Sequence, residues 1–363
     1  MMKTYINAVL FAALLSTVSC RAQEEAKVPA DVAVAVYFTS RITPQAVRDI
    51  YSKLEPKLEG RIAIKVHFGE EGNPNFLPAS LIEALCRELK ATLVETNVLY
   101  GAQRSKTESH IALAKRHGFT FAPIDILDAE GNLAFDCQLK HFSKVYTGSH
   151  FADYDAYLIF SHFKGHGMAG FGGAIKNASM GLASKEGKRF LHRGNYPLYD
   201  QSKCIECGIC VNGCPQRAIT LNPLNINHLD CVACGKCIAD CPEKVFSAPP
   251  TYRDAFLERL SEYAKVITEQ KPMLYINVLA NISSVCDCFS QAPKPFLPDI
   301  GILASTDIVA IEKASHDLVD KAHNCGDAFL KEISVSGKRQ IEYAAELGIG
   351  SMEYRLIDID TMD

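Results

Sequence analysis

Two cysteine runs of the same spacing stand in the middle of the sequence: Cys204-Ile-Glu-Cys207-Gly-Ile-Cys210-Val-Asn-Gly-Cys214-Pro215 and Cys231-Val-Ala-Cys234-Gly-Lys-Cys237-Ile-Ala-Asp-Cys241-Pro242. Each run reads C-x2-C-x2-C-x3-C-P, and the second run repeats the first 27 residues further along. In both runs a glycine follows the second cysteine and a proline follows the fourth. This spacing is typical of cysteines that wrap a cubane iron–sulfur cluster.

The two runs therefore predict two [4Fe-4S] clusters. Three thiolates that are two residues apart fold round one cube, whereas the fourth, followed by proline, points away and suits the other cube. Zinc and disulfides are the alternatives, but zinc ribbons use separated C-x-x-C pairs and would leave one cysteine of each triplet without a role. The predicted ligands are Cys204, Cys207, Cys210 and Cys241 for one cluster, and Cys231, Cys234, Cys237 and Cys214 for the other.

From Lys203 to Phe246 the sequence resembles the bacterial two-cluster ferredoxins, with no departure from their pattern. The resemblance implies a small α+β unit whose clusters carry electrons at low potential. We call residues 195–248 the cysteine module.

Composition limits the other classes of function. The chain has 363 residues, of which 48% are hydrophobic, enough for one large or two medium domains. The net charge is −4 and both signs are mixed along the chain, so the absence of a basic run argues against a nucleic-acid partner. Of the 14 cysteines, six lie outside the two runs: Cys20, Cys86, Cys137, Cys286, Cys288 and Cys325.

Residues 1–22 have the features of an export signal. A short positive region precedes an apolar stretch, residues 6–15, which is too short to span a bilayer. The small residues before Cys20 resemble a bacterial lipobox, and ordinary cleavage after Ala22 is the rival prediction. We expect an exported protein, periplasmic or anchored to the membrane by a lipid on Cys20, and a cytoplasmic one if the leader is not used. Export of an unfolded chain would require the clusters to be inserted afterwards.

Outside the cysteine module, buried-strand patterns alternate with amphipathic helix patterns. This alternation predicts an α/β domain with a mostly parallel sheet and flanking helices, interrupted by the module, with its two parts at residues 31–190 and 251–363. The runs 124–127 and 133–139 flank a turn and predict a hairpin. Strands are predicted at 31–38, 61–68, 91–95, 156–160, 273–279 and 354–359, and helices at 43–58, 79–90, 107–117, 252–269, 307–323 and 340–347.

Glycines are dense in residues 161–177, directly after a predicted strand. Ligands of parallel sheets lie beyond the carboxyl ends of strands, and glycines let backbone N–H groups approach an anion. A helix that begins near Ala174 would add the positive end of its dipole. The pattern Gly165-x-Gly167-x-x-Gly170 matches the dinucleotide fingerprint only formally, because four residues separate it from the strand. The residues predicted to bind a cofactor or a small anion are Lys164, His166, Gly172, Gly173, Lys176 and Asn177.

Several alternatives stay open for this region. His162 and His166 are four residues apart and suit a metal ion, although such a pair in a Gly-rich loop more often makes hydrogen bonds. The polar stretch Glu95–Arg104 follows a strand and either lines the same cleft or is solvated. Cys286 and Cys288 suit a metal ion, a small-ring disulfide or structural, inert thiols.

Several stretches together resemble one family, the uncharacterised iron–sulfur-centre proteins, a domain of unknown function that often carries a ferredoxin insert. The resemblance implies cluster binding and adds no established activity. Besides the two cysteine runs, the matching pieces are Glu95-Thr96-Asn97-x-Leu99-Tyr100-Gly101, His162-Phe163-Lys164-Gly165-His166, Gly172-Gly173-Ala174-Ile175-Lys176-Asn177, Cys286-Asp287-Cys288 and Pro298-Asp299-Ile300-Gly301-Ile302-Leu303-Ala304.

Three functions follow as hypotheses. The first is an electron-transfer protein that passes electrons at low potential from two [4Fe-4S] clusters to a redox protein or a small-molecule acceptor. The second is a redox enzyme that reduces a small anionic substrate held between residues 97–104 and residues 162–177. The third is a non-catalytic redox sensor or cluster-binding protein. Convergence of His166 and Lys176 in an open cleft near a cluster would favour the enzyme, and a closed loop would favour the other two.

Overall fold

The computed structural model describes residues 33–193, 196–249 and 252–362. The predicted export signal at residues 1–22, with Cys20, lies outside these ranges. Within them, helices long and apolar enough to cross a bilayer are absent. The described chain is a mixed α/β structure, as predicted.

Strands and helices alternate through the first and last parts of the chain. The strands are β1 (Val34–Thr39), β2 (Ile62–Lys65), β3 (Thr92–Glu95), β4 (Ile124–Ile126), β5 (Asn132–Asp136), β6 (Lys144–Gly148), β7 (Ala156–His162), β8 (Lys164–His166), β9 (Gly170–Gly172), β10 (Leu198–Tyr199), β11 (Ile219–Thr220), β12 (Asn225–Ile226), β13 (Phe246–Ser247), β14 (Met273–Leu279), β15 (Gly301–Ser305) and β16 (Tyr354–Asp358). The helices are α1 (Pro44–Tyr51), α2 (Ser80–Glu88), α3 (Thr107–Arg116), α4 (Ala174–Ala178), α5 (Lys185–His192), α6 (Ile209–Gly213), α7 (Lys236–Asp240), α8 (Tyr252–Thr268), α9 (Ile308–His323), α10 (Ala328–Ile333) and α11 (Lys338–Glu346).

Eight of the described strands form one sheet, in the order β16-β1-β15-β14-β7-β2-β3-β4. β15 runs antiparallel to both of its neighbours, and the remaining pairs are parallel, which confirms the predicted mostly parallel sheet. The predicted hairpin of residues 124–139 is wrong. β4 joins the main sheet beside β3, and β5 pairs with β6 instead.

The centre of the sheet is buried on both faces. Alternate residues of β7 and β14 belong to two separate apolar cores: Tyr157 and Ile159 face one core, and Leu158 and Phe160 face the other. All seven residues of each of these strands are buried, which is typical of a parallel sheet covered by helices on both sides. Strands of this kind give the site at their carboxyl ends a rigid base.

Helix ends follow the sequence signals, with one difference in length. The side chain of Thr43 accepts a hydrogen bond from the N–H of Ala46, and Pro44 occupies the first turn of α1, as expected for a capped helix start. α1 ends at Tyr51, earlier than the predicted residue 58. Pro56 lacks an N–H and disfavours helical backbone in the residue before it, so the helix cannot continue through it.

The cysteine module lies between α5 and α8, and β7 before it is the direct neighbour of β14 after it in the main sheet. The 27-residue repeat is visible in its backbone. Gly208 and Gly235 precede α6 and α7 with the same left-handed conformation, φ +76°. Such a φ favours glycine, which has no Cβ to clash. A small apolar core of its own holds the module together: Ile219, Leu224, Ile226, Val245 and Phe246.

Candidate functional site

Polar and charged side chains gather beyond the carboxyl ends of the parallel strands. β2, β3, β7 and β14 run in the same direction, so the residues that follow them meet at one edge of the sheet. Such an edge is where ligands of parallel α/β sheets bind. Residues from five separate segments contribute to the cluster: 65–70, 95–104, 162–166, Lys176 and 286–288.

Two thiols lie at the heart of this cluster. Cys286 and Cys288 belong to a tight turn, in which the N–H of Phe289 donates to the carbonyl of Cys286 over 3.1 Å. The two sulfur atoms and one ring nitrogen of His166 all lie within 4.8 Å of one another. We call Cys286, Cys288, His166, Lys164 and Lys176 the thiol site. The structure thus brings His166 and Lys176 together with the cysteine pair.

Asp287, between the two cysteines, fixes the turn to the sheet. Its carboxylate lies 2.9 Å from Nδ1 of His162 and 3.0 Å from Nζ of Lys164, and only 1% of its side chain is exposed. Nε2 of His162 lies 2.6 Å from the carbonyl of Ala280, so both ring nitrogens of His162 face oxygen atoms. Burial raises the pKa of Asp287, but the charges of His162 and Lys164 outweigh it and hold that pKa well below its usual range.

The two thiols differ in acidity because of their surroundings. A hydrogen bond from Cys288 lowers the pKa of Cys286; burial opposes this shift, but with the charges of Lys176 and Lys164 the pKa lies well below that of a free thiol. The same hydrogen bond, together with burial, raises the pKa of Cys288. These surroundings favour the thiolate form at Cys286 over the thiolate form at Cys288.

His166 keeps a fixed tautomer. Its Nδ1 accepts hydrogen bonds from the backbone N–H groups of Met168 and Ala169, at 3.3 and 3.1 Å. Burial and the charge of Lys176 hold the pKa of His166 well below its usual range, so the ring is neutral. Because Nδ1 is an acceptor, the single ring proton of a neutral imidazole resides on Nε2. The neutral ring of His166 can therefore donate a hydrogen bond only through Nε2.

The stretch Glu95–Arg104 forms the wall of the thiol site on the side opposite residues 162–166. Arg104 is 1% exposed; its Nε donates to Glu70 over 3.1 Å and its Nη2 to the hydroxyl of Tyr100 over 2.5 Å. That hydroxyl donates in turn to the carbonyl of Cys288 over 3.2 Å. Nζ of Lys65 lies 3.4 Å from the carboxylate of Glu95. This stretch thus holds the turn of the thiol site by its backbone.

Two of the predicted binding residues, Gly173 and Asn177, are held by groups of the protein itself. Glu312 accepts hydrogen bonds from the N–H groups of Ala174 and Ile175, so a carboxylate of the chain itself occupies the start of α4. A Cβ on Gly173 would lie 2.2 Å from Glu312, which explains the glycine by packing. Asn177 accepts from Lys65 and donates to Ser161. A ligand contact for Gly172, Gly173 and Asn177 stays a prediction.

Two cavities open in the cysteine module, each beside four cysteines. The first is lined by Cys214, Cys231, Cys234 and Cys237. The second is lined by Cys204, Cys207, Cys210 and Cys241. Each cavity therefore combines three cysteines of one run with the last cysteine of the other run.

The module touches the wall of the thiol site. Nε2 of Gln216, which follows Cys214-Pro215, donates to the carbonyl of Leu99 over 2.7 Å. Leu99 adjoins Tyr100, whose hydroxyl reaches Cys288. One hydrogen bond thus separates the segment beside the first cavity from the segment that holds the turn of Cys286 and Cys288.

Sequence reasoning missed several members of the cluster. The predicted strand at residues 61–68 contains Lys65 and His67 without assigning either a role, and the sequence assigned none to Glu70 or Asp287. The available signal was weak: charged residues at the carboxyl end of a predicted strand, as in Lys65-Val-His67, and an acidic residue between two thiols. Only the folded chain brings the segments together.

Two solved structures are distantly similar to this chain. The lactate racemase apoprotein from Thermoanaerobacterium thermosaccharolyticum is 11% identical with a TM-score of 0.39, and the match covers 82% of this chain and 59% of that one. A protein from Thermotoga maritima is 13% identical with a TM-score of 0.38, covering 78% of this chain and 59% of its own. The chain thus spans about three fifths of the length of either structure. No curated protein matches the sequence.

The family relationship comes from the sequence. Residues 62–317 match the family described as Domain of unknown function (DUF362). This range includes the strands that carry the thiol site and the whole cysteine module. Because the match covers more than half of the chain, the protein belongs to the DUF362 family.

Proposed function

We propose that this protein binds two [4Fe-4S] clusters in the cysteine module and transfers electrons at low potential to a redox protein or a small-molecule acceptor. The observation that carries the proposal is the lining of the two cavities. Each set of four cysteines is the set that the crossed ligand assignment of a two-cluster ferredoxin requires.

The surroundings of the sulfur atoms support the same proposal. The N–H of Ala218 donates to Cys214 over 3.3 Å, and the N–H of Val245, at the equivalent position of the repeat, donates to Cys241 over 3.4 Å. Backbone hydrogen bonds to ligand sulfurs are among the features that set cluster potentials. Such donors fit thiolates that carry the negative charge of a cluster.

The spacing of the sulfur atoms favours a cluster over a single zinc ion. Four sulfurs around one zinc ion, at Zn–S distances of about 2.3 Å, lie roughly 4 Å from one another. Among the described residues, possible metal ligands come within 4.8 Å of one another in groups of three at two places, and neither group includes a cysteine of the two runs. A cubane needs a wider set of ligands, which is what the cavities offer.

The second candidate function is a redox enzyme. Lys164, Lys176 and His166 converge on two thiols at the carboxyl edge of the sheet, and the Gln216–Leu99 contact links this edge to the module. Two lysines and a neutral imidazole N–H suit a small anionic substrate that would receive the electrons. A redox sensor remains the third candidate.

Metal and sulfide analysis of anaerobically purified protein tests the main proposal. We expect about eight irons and about eight acid-labile sulfides per chain, and a paramagnetic spectrum of two interacting clusters after reduction by dithionite. Zinc in the module, or oxidised cysteines without iron, would refute it.

We also propose that the chain is exported and carries a lipid on Cys20. The support is the sequence of residues 1–22. Labelling with a radioactive fatty acid in a bacterial host tests it. The label should appear on the natural chain and be lost in Cys20→Ser, whereas a labelled Cys20→Ser chain would contradict the proposal.

A further inference from the structure

The pair Cys286 and Cys288 has no role in the module, yet its surroundings are unlike those of the structural thiols. Burial raises the pKa of Cys86 to about 11, and it also raises the pKa of Cys137, as expected for inert thiols in apolar surroundings. Cys286, at 2% exposed, is as buried as Cys86, but it lies beside a second thiol and two lysines. The pair therefore has the environment of reactive cysteines.

We propose that Cys286 and Cys288 form a redox-active dithiol–disulfide couple, a two-electron centre at the carboxyl edge of the sheet. In reduction, the Cys286–Cys288 S–S bond accepts two electrons and one proton, which gives a thiolate on Cys286 and a thiol on Cys288. In oxidation, the two sulfurs form the S–S bond and release the same two electrons and one proton. The idea that two one-electron clusters supply these electrons rests on the proposed function. The existence of the couple does not depend on that function.

The geometry allows this bond to form. Residues two apart in a chain have Cα atoms at most about 7.6 Å apart, and a turn shortens that distance into the range that disulfides span. The sulfur atoms already lie within 4.8 Å of each other. The ring closed by such a bond is small, and strained disulfides are more easily reduced than structural ones.

The charges around the pair favour the reduced form. Nζ of Lys164 is held 3.0 Å from Asp287, between the two cysteines, and Lys176 approaches from α4. Arg104 faces the turn from the opposite wall and pairs with Glu70. His67 also faces the turn, but burial holds its pKa well below the ordinary value, so it adds no positive charge at neutral pH. Positive charge beside a thiolate stabilises it, and a disulfide whose reduced form is stabilised is a better electron acceptor. A low-potential donor would therefore reduce this pair readily.

The same features argue against a metal ion at the thiol site. Nδ1 of His166 already accepts two backbone N–H groups, so Nε2 carries a proton and offers no lone pair to a metal. Lys164 and Lys176 would also repel a cation. The N–H of His166 suits a thiolate sulfur as its partner instead.

The sequence allows a direct measurement of the couple. Lys271 and Lys294 each precede proline, so trypsin releases one peptide, residues 266–313, that contains Cys286 and Cys288 and no other cysteine. Anaerobic protein is equilibrated with 2-mercaptoethanol and its disulfide at a series of ratios, quenched with acid, unfolded and alkylated. The mass of this peptide reports the two thiols.

We expect the peptide to pass from the disulfide to the doubly alkylated form as the share of reduced mercaptoethanol rises, with no singly alkylated form at equilibrium. Cys288→Ser should give one free thiol and no internal disulfide. Lys176→Met removes a charge beside the thiolate and should lower the equilibrium constant for reduction about tenfold. Lys53→Met, at an exposed lysine, is the matched control and should leave the equilibrium constant for reduction unchanged.

Three results would overturn the proposal. A peptide that stays doubly alkylated at every ratio means inert thiols, and one that stays a disulfide at every ratio means a structural bond. A metal ion bound to the anaerobic chain and lost in Cys288→Ser means a metal site. Iron content, measured on the same sample, separates this inference from the proposed function. A working couple in a chain without iron refutes only the clusters. About eight irons in a chain with an inert cysteine pair refute only the couple.

Discussion

The cysteine module and the thiol site use the same residue type in opposite surroundings. In the module, cysteines stand half-buried or exposed along two short repeats, and the nearby ion pairs, such as Lys203–Asp200, are mostly exposed. At the thiol site, the side chains of Lys164 and Asp287 are 8% and 1% exposed, and charges of both signs surround two cysteines. Local spacing defines the first region, and long-range packing of charges defines the second.

This difference predicts how each region responds to the loss of a sulfur. On the proposed cluster assignment, thiolates that share a cluster depend on one another, so a single change in the module would affect four iron atoms. A thiol of the second region is held by hydrogen bonds and charges, so its loss changes the chemistry of the pair and leaves the module intact.

The largest expected effect follows from Cys207→Ser in the module. On the proposed ligand assignment, one cluster is lost and the other is only partly built, so iron falls from about eight to about four atoms per chain or fewer. Cys286→Ser, the same change at the thiol site, should leave about eight. Iron and sulfide analysis of anaerobic protein measures both. Full iron in Cys207→Ser would refute the ligand assignment, and iron loss in Cys286→Ser would remove the distinction between the regions.

The same contrast explains how far the sequence predicted the molecule. The strand at residues 273–279 was predicted with the bounds that it has, because seven apolar residues buried on both faces leave little ambiguity. The two predicted cysteine sets line two separate cavities, since their spacing is local. The hairpin at residues 124–139 was wrong because pairing of β4 with β3, and of β5 with β6, depends on distant segments.

The thiol site was predictable only in pieces. Lys164, His166, Lys176 and the pair of cysteines were singled out, but their meeting requires the strand order of the folded sheet. The predicted positive end of a helix at Ala174 is covered by Glu312, from α9, more than 130 residues further along. Sequence patterns describe a residue's neighbours along the chain, whereas charge pairing across a sheet edge depends on topology.

The second prediction concerns the buried carboxylate of the thiol site. Asp287→Asn leaves the charge of Lys164 buried without its partner and removes the acceptor of His162, and we expect the free energy of unfolding to fall by about 3–5 kcal/mol. The exposed pair Asp136–Lys144 offers the matched control, since Asp136→Asn should leave stability unchanged. Denaturant unfolding at pH 7 measures both variants. Equal stability of the two variants would mean that solvent reaches the charges around Asp287.

The pH dependence of the Asp287 effect has a definite sign. The pKa of Asp287 in the folded protein lies well below its ordinary value, so the unfolded chain binds a proton first as pH falls. The stability from this carboxylate is complete above about pH 4 and is lost as pH falls through the folded pKa. The difference between the natural protein and Asp287→Asn should therefore narrow below pH 4. A difference that stays constant with pH would show that charge is not its cause.

The third prediction uses a buried histidine of the α/β domain. Burial lowers the pKa of His110 to about 3, and both of its ring nitrogens are without a hydrogen-bond partner. Between pH 6.5 and about 3 the unfolded chain holds the extra proton, so His110 costs about 1.4 kcal/mol of stability per unit of pH decrease. His110→Leu should equal the natural protein at pH 7.5 and exceed it by about 2 kcal/mol at pH 5.

A histidine of the cysteine module provides the control for this effect. His228 is exposed and stacks on Tyr196 with ring centroids 4.1 Å apart. His228→Leu should leave the slope of stability against pH unchanged, because the His228 side chain is exposed to solvent in the folded chain. Unfolding curves from pH 5 to 7.5 test both variants. An unchanged slope in His110→Leu would mean that His110 is solvated.

The smallest expected effect lies at the contact between the two regions. Gln216→Met removes the hydrogen bond from Gln216 to the carbonyl of Leu99 and should cost about 0.5–1.5 kcal/mol locally. Amide exchange of residues 97–104 should then accelerate a few-fold, up to about tenfold, with iron content unchanged. Gln201→Met, at an exposed glutamine of the same module, should change neither the amide exchange of residues 97–104 nor the iron content. If exchange stays the same in Gln216→Met, the two regions are joined by other contacts, and the path from the first cavity to Cys288 does not depend on this bond. If iron is lost as well, the wall of the thiol site supports the module, and the regions are less independent than their surroundings indicate.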